Sequence, residues 1–118
     1  QRLVRTIDKD AKEEYTPTSD ELNRINLPKD KLNKIKFYRG KPSINNHNTG
    51  YKGRTAIHEI LEVNSDVRKL IFDNATQNDI KDLAIKNGMT PLRDAGIGKI
   101  ESGITTIEEV LRATVEDI

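Results

Sequence analysis

The chain has 118 residues, the size of one globular domain or of a domain with a small appendage. Its 20 Lys and Arg nearly balance its 19 Asp and Glu, which argues against a histone-like or ribosomal polyelectrolyte. With 34% apolar and 4% aromatic residues, no Trp and no Cys, the core must be small and aliphatic, and disulfides, zinc thiolates, iron–sulfur clusters and cysteine nucleophiles are excluded.

In chain order, Thr18 stands three residues before Glu21, the spacing of a capping box, and Leu22 and Ile25 follow, so a short helix is expected over 18–27 with Pro28 closing it. Leu32 to Arg39 carries Ile35, Phe37 and Tyr38 before Gly40 and Pro42, which suits a brief strand. The polar run 43–49 reads as a loop, because its Ser, Asn and Thr side chains hydrogen-bond their own backbone. Tyr51 to Val63 fits both a helical stripe and an alternating strand; it is read as a strand paired with 32–39. The second half carries helix punctuation. Ser65 and Thr76 can cap helices, the second stopping at Gly88. Thr90-Pro91 can open a third that Gly96 and Gly98 weaken and can break in two, and Thr105 with Glu108, or Thr106 with Glu109, can open a fourth. Such short helices with short links make a small helical bundle. The expected class is therefore α+β: a mixed subdomain with a short antiparallel hairpin over 1–63, then a C-terminal extension of about four short helices over 64–118.

Charge is unevenly spread. Residues 1–54 hold 13 basic and 7 acidic side chains, whereas residues 55–118 hold 7 and 12. A basic half can face an anionic ligand or an acidic neighbour, and a solvated dipole accounts for the same counts. No run approaches the roughly 18 apolar residues of a membrane span, no secretory leader pattern is present, and a start at Gln1 without Met suggests an excised piece.

Catalytic motifs are scarce. Gly96-Ile97-Gly98-Lys99-Ile100 has neither the spacing nor the hydroxyl of a phosphate-binding P-loop. His58-Glu59 begins like a zinc-protease motif, but position 62 is Glu, and His47 with His58 lacks an identifiable third ligand. Glu13-Glu14 and Glu108-Glu109 are sequence neighbours that point apart, which reads as a solvated face. The segment Thr49-Gly50-Tyr51-Lys52-Gly53-Arg54-Thr55 stands out: two glycines permit tight turning, and Lys52 and Arg54 share a face if the strand is extended. That face can receive a phosphate, for which the planar Arg fork is suited, and a charged strand edge is an equal reading.

Three strings in order resemble one family: Gln1-Arg2-Leu3-Val4-Arg5, then Thr-Gly-Tyr-Lys-Gly-Arg-Thr-Ala-Ile-His-Glu-Ile-Leu at 49–61, then Gly-Ile-Thr-Thr-Ile-Glu-Glu-Val-Leu-Arg at 103–112. The family is that of the secretion traffic ATPases, which includes the type II secretion ATPase and the type IV pilus assembly ATPase, and the match covers its C-terminal end. The resemblance implies a P-loop domain upstream in the same chain, ATP and magnesium as cofactors of that full-length parent, and a homo-hexamer peripheral to the cytoplasmic side of the inner membrane. It implies an inner-membrane platform protein as partner and no nucleic acid. Alone, the chain lacks a Walker A motif and is expected to be inactive. Many members carry two C-x-x-C pairs that bind zinc; the corresponding positions here are Asp8, Ala11, Ser43 and Asn46, so no zinc is expected. By the same resemblance Arg54 is the Arg of a Gly-Tyr-x-Gly-Arg motif facing the nucleotide, with Lys52, Arg2 and Arg5 as lesser candidates. The alternatives are a freestanding basic nucleic-acid-binding module, against which the scarcity of aromatics counts, or a protein-interaction adaptor.

Overall fold

A computed structural model describes residues 1–27, 29–32 and 34–114. Strand β1 (Arg2–Ile7) runs antiparallel to β4 (Tyr51–Ile57), with Arg2 opposite Ile57, Leu3 opposite Ala56, Val4 opposite Thr55 and Arg5 opposite Arg54. Strands β2 (Lys12–Tyr15) and β3 (Phe37–Gly40) form a second antiparallel pair, joined through helices α1 (Ser19–Ile25) and α2 (Lys29–Leu32). Four helices follow: α3 (Ser65–Phe72), α4 (Gln77–Lys86), α5 (Leu92–Glu101) and α6 (Ile107–Thr114). This is the expected α+β class with its four C-terminal helices.

The strand pairing differs from the expectation. The segment at 51–57 pairs with β1, and the segment at 37–40 with β2. Burial explains the exchange. Ile57 and Val4, both essentially inaccessible, pack with Leu92 and Ala113, whereas Phe37 belongs to a separate cluster with Ile25, Leu27, Ile97, Ile100, Ile107 and Val110. That larger cluster draws on both halves of the sequence, so α5 and α6 complete the core that α1 and β3 begin.

Local chemistry sets the helix ends. Thr18 and Glu21 form the expected capping box on α1, and Asn26 closes it in the left-handed conformation; Pro28 lies outside the described residues. Thr76 and Asp79 form a second box on α4. Two caps differ from expectation. Asn64, not Ser65, accepts the Val67 N–H at the start of α3. At α5 the Thr90 side chain makes no cap; the Leu92 N–H donates to the Glu59 carboxylate at 3.1 Å, so a residue just past β4 ties that helix to the sheet. Helix α5 also runs unbroken through its glycines. A Cβ on Gly96 would stand 2.6 Å from Val110 Cγ1, so a bare Cα is what lets α5 and α6 approach.

Candidate functional site

The three strings singled out in the sequence converge in space. Helix α6 and the turn that leads into it lie along the edge of β1 that does not face β4, and between them they meet outward backbone groups of the strand. The Leu3 carbonyl accepts from Arg112 Nη2 at 3.2 Å. The Arg5 N–H donates to Glu109 Oε2 at 2.8 Å, and the Arg5 carbonyl accepts from Thr105 Oγ1 at 2.7 Å. The Ile7 N–H donates to the Ile104 carbonyl at 2.8 Å. A bare strand edge is costly to leave open, and here four of its outward groups, the Leu3 carbonyl, both groups of Arg5 and the Ile7 N–H, are met.

Glu109 is the centre of that closure. Its carboxylate has no accessible surface, and it receives Arg5 Nε and Nη2 at 3.0 and 2.8 Å and Arg112 Nε and Nη2 at 3.2 and 2.9 Å. Burial alone would raise the Glu109 carboxyl, but the hydrogen bonds from Arg112 and Arg5 outweigh it and hold the group at about 2. The same bonds raise both guanidiniums. The Arg5 guanidinium also sits 4.2 Å above the Tyr51 ring. Tyr51 Oη in turn shares a 2.7 Å hydrogen bond with Thr106 Oγ1, which accepts the Glu109 N–H. Burial pushes the Tyr51 hydroxyl up. One residue from each string, Arg5, Tyr51 and Glu109, thus sits in a single network. The reading of Glu108-Glu109 as a solvated pair is corrected: Glu108 is exposed, while Glu109 lies on the α6 face that carries Val110 and Ala113 inward.

The candidate phosphate-facing residues separate. Arg54 is exposed on β4, and among the described residues no hydrogen bond or ion pair engages its side chain. Lys52 is likewise exposed and lines two adjoining clefts of about 660 and 760 Å³ with Asp8, Asp10 and Lys12. Between them Gly53 adopts φ +86°, beside the irregular register at Arg5 and Ile7, so its glycine character serves the strand's own bend. Arg5 is committed to Glu109. Arg2 is exposed at the start of β1.

Asp8, Ala11, Ser43 and Asn46, the positions that the resemblance sets against metal ligands, lie together and are held by hydrogen bonds. Asn46, 1% exposed, uses every polar atom of its amide: Nδ2 donates to Asp8 Oδ2 and the Lys41 carbonyl, both at 3.0 Å, and Oδ1 accepts from Ser43 N and Gly50 N. Asp8 Oδ1 accepts from Asp10 N, and the Ala11 N–H donates to the Asp8 carbonyl. These residues do not fit zinc. Ala11 offers no ligand atom, and the Asn46 amide is saturated. His47 and His58 are both exposed, and among the described residues no group of three His, Asp or Glu side chains is placed to hold a metal.

Comparison with known proteins decides the family. The family model described as Type II/IV secretion system protein matches residues 1–112. The chain belongs to the type II/IV secretion system protein family. It is 40% identical over 116 residues to the Type IV pilus assembly ATPase PilB of Thermus thermophilus, covering 98% of this chain and 13% of that protein. It is 38% identical over 115 residues to the Type II secretion system protein E of Xanthomonas campestris pv. campestris, covering 97% and 20%. A third relative, the Type II secretion system ATPase E of Vibrio cholerae, is 36% identical over 116 residues, covering 98% and 22%. The chain therefore spans less than a quarter of the length of these family members. Among the described residues no helix is long and apolar enough to cross a membrane.

Sequence reasoning missed Glu109, and with it Arg112, as the partners that hold Arg5. The available signal was the Thr106–Glu109 spacing, one of the two helix openings, which puts Glu109 in the first turn of α6.

Proposed function

We propose that this chain is the C-terminal region of a secretion ATPase that powers type IV pilus assembly or type II secretion. In this reading the parent binds ATP and magnesium through a P-loop domain upstream. It assembles as a homo-hexamer on the cytoplasmic side of the inner membrane and acts on an inner-membrane platform protein. The region contributes to the nucleotide pocket wall and to ring contacts.

The observation that supports this reading is the contrast between two arginines opposite each other in one sheet. Arg5 is consumed by Glu109, and Arg54, held on the strand that this lock steadies, keeps its fork unengaged among the described residues. An unengaged guanidinium on a positioned strand suits a charge-assisted bond to a phosphate supplied by another part of the polypeptide. The test is Arg54→Ala in the full-length polypeptide. ATP turnover or nucleotide affinity should fall by roughly tenfold or more, as expected for the loss of a bond to a charged group. Arg54→Lys should restore only part of it, since a point charge replaces a fork. Unchanged turnover and affinity in an intact assembly would end the assignment.

A further inference from the structure

Strands β1 and β4 bring four cations together and no anion of their own. Arg2 and Arg5 stand on one strand, Lys52 and Arg54 on the other, and neither Arg2–Ile7 nor Tyr51–Ile57 contains an acidic residue. The closest juxtaposition is Arg5 opposite Arg54. The Arg5 N–H donates to Glu109 and the Arg5 carbonyl accepts from Thr105, so both backbone groups point away from β4 and the two arginines form a non-hydrogen-bonded pair. In such a pair the Cβ atoms stand roughly 5 Å apart on one face of the sheet. Like charges there repel, and two forks rooted that close can both reach one phosphate.

One of the two forks is turned aside. Arg5 Nε and Nη2 both donate to Glu109 Oε1, and the guanidinium lies over the Tyr51 ring. The countercharge comes from α6, from a carboxylate with no accessible surface. Arg5 itself is not buried: its side chain is 40% exposed, so what keeps it from a nearby anion is this carboxylate and not a lack of access. Arg54 has no such partner among the described residues.

We propose that Glu109 is a positioning residue for the nucleotide phosphates: by holding Arg5 it leaves Arg54 as the one guanidinium of this pair offered to them, and so keeps the grip loose enough for product to leave. This rests on the functional reading above, in which Arg54 meets a phosphate. A second fork would grip the diphosphate product as well as the triphosphate substrate. Tightening both lowers KM without raising kcat, and slow product release lowers kcat. Replacing Glu109 by Gln removes the charge that competes for Arg5, and a neutral amide holds a guanidinium less well than a phosphate does. Arg5 then turns to the nucleotide.

The test measures ADP affinity, ADP release and the kinetic constants for ATP in the full-length polypeptide, below the melting transition of every variant. Glu109→Gln should bind ADP about fivefold more tightly or better, within what one added bond to a charged group supplies. It should release ADP correspondingly slowly and lower KM and kcat together. A residue that only held the fold would weaken binding when replaced, so tighter binding is a readout that structure alone does not give. Adding Arg5→Gln to Glu109→Gln should return ADP affinity to the wild-type value, because the gain comes from the released fork. Arg5→Gln alone should lose far less ADP affinity than Arg54→Ala does. Unchanged or weaker ADP binding in folded Glu109→Gln would overturn the proposal. So would a loss in Arg5→Gln as large as that in Arg54→Ala, which would make Arg5 a direct ligand, and this comparison stands even where Glu109→Gln fails to fold. The two readings fail separately. An ATP defect in Arg54→Ala with no gain in Glu109→Gln would refute the withholding of Arg5 alone, and normal affinity and turnover in Arg54→Ala would refute the nucleotide role itself.

Discussion

The backbone N–H of Arg5 and the buried carboxylate of Glu109 lie 2.8 Å apart across 104 residues of sequence. Through this bond and the two guanidiniums beside it, the first strand and the last helix are fastened to each other. Removing the carboxylate charge leaves Arg5 and Arg112 partly unpaired. Glu109→Gln should therefore cost about 2 to 4 kcal/mol in denaturant unfolding, and Glu109→Ala at least as much. A loss below about 0.5 kcal/mol would show the network to be ornamental.

The same carboxyl predicts an acid transition. Its folded value is about 2 against an ordinary 4.5, so it releases its proton more readily when folded. The stabilisation is fully present above pH 4.5 and is lost as pH falls from there through about 2. It amounts to roughly 3 kcal/mol at neutral pH. Unfolding free energy measured across that window should fall in the wild type and much less in Glu109→Gln. Parallel profiles would contradict the assignment.

Asn46 should be the pivot of the clip loop. Asn46→Ala strands the Ser43 and Gly50 amides and the Asp8 carboxylate, and should cost about 2 to 3 kcal/mol. Asn46→Asp places a second carboxylate against Asp8, so that variant should gain stability as pH falls toward 4. Since the loop is held this way, a chelator should leave the wild-type melting temperature unchanged. Elemental analysis giving one zinc per chain would sink this account.

Gly96 and Gly98 offer a paired test within one helix. A Cβ at Gly96 meets Val110, whereas at Gly98 nothing lies within 4 Å. Gly96→Ala should destabilise by about 1 to 3 kcal/mol. Gly98→Ala should stabilise by about 0.5 to 1 kcal/mol through helix propensity. Equal effects at the two sites would mean that α5 and α6 do not pack as described.

Arg54→Ala should leave thermal stability within about 0.5 kcal/mol of the wild type, because an exposed, unengaged side chain adds little to the core. The 118-residue chain should not hydrolyse ATP, since it lacks the phosphate cradle and magnesium ligands that phosphoryl transfer needs. Turnover that survives repurification would refute the second statement, and a large loss of melting temperature the first.

Much of this was legible locally. The Thr18–Glu21 and Thr76–Asp79 boxes form as their spacing dictates, because a capping box closes over four consecutive residues and needs nothing distant. The openings of α4 at Thr76 and α6 at Thr106 follow from the same short-range rule, whereas α5 begins on the Glu59 carboxylate 33 residues away, and the three strings at 1–5, 49–61 and 103–112 were enough to indicate the family. What the tertiary structure decided was everything that joins positions far apart in sequence. Val4 and Phe37 are both apolar strand residues, and nothing local says which will pack with Ile57; the choice was made by which of them could share a core with Leu92 and Ala113. Glu108 and Glu109 are identical in type and adjacent, yet one is solvated and the other holds two arginines, because helix phase against the β1 edge turns only Glu109 inward. A carboxylate's role depends on the charges that folding brings to it, and a window of neighbouring residues contains none of them.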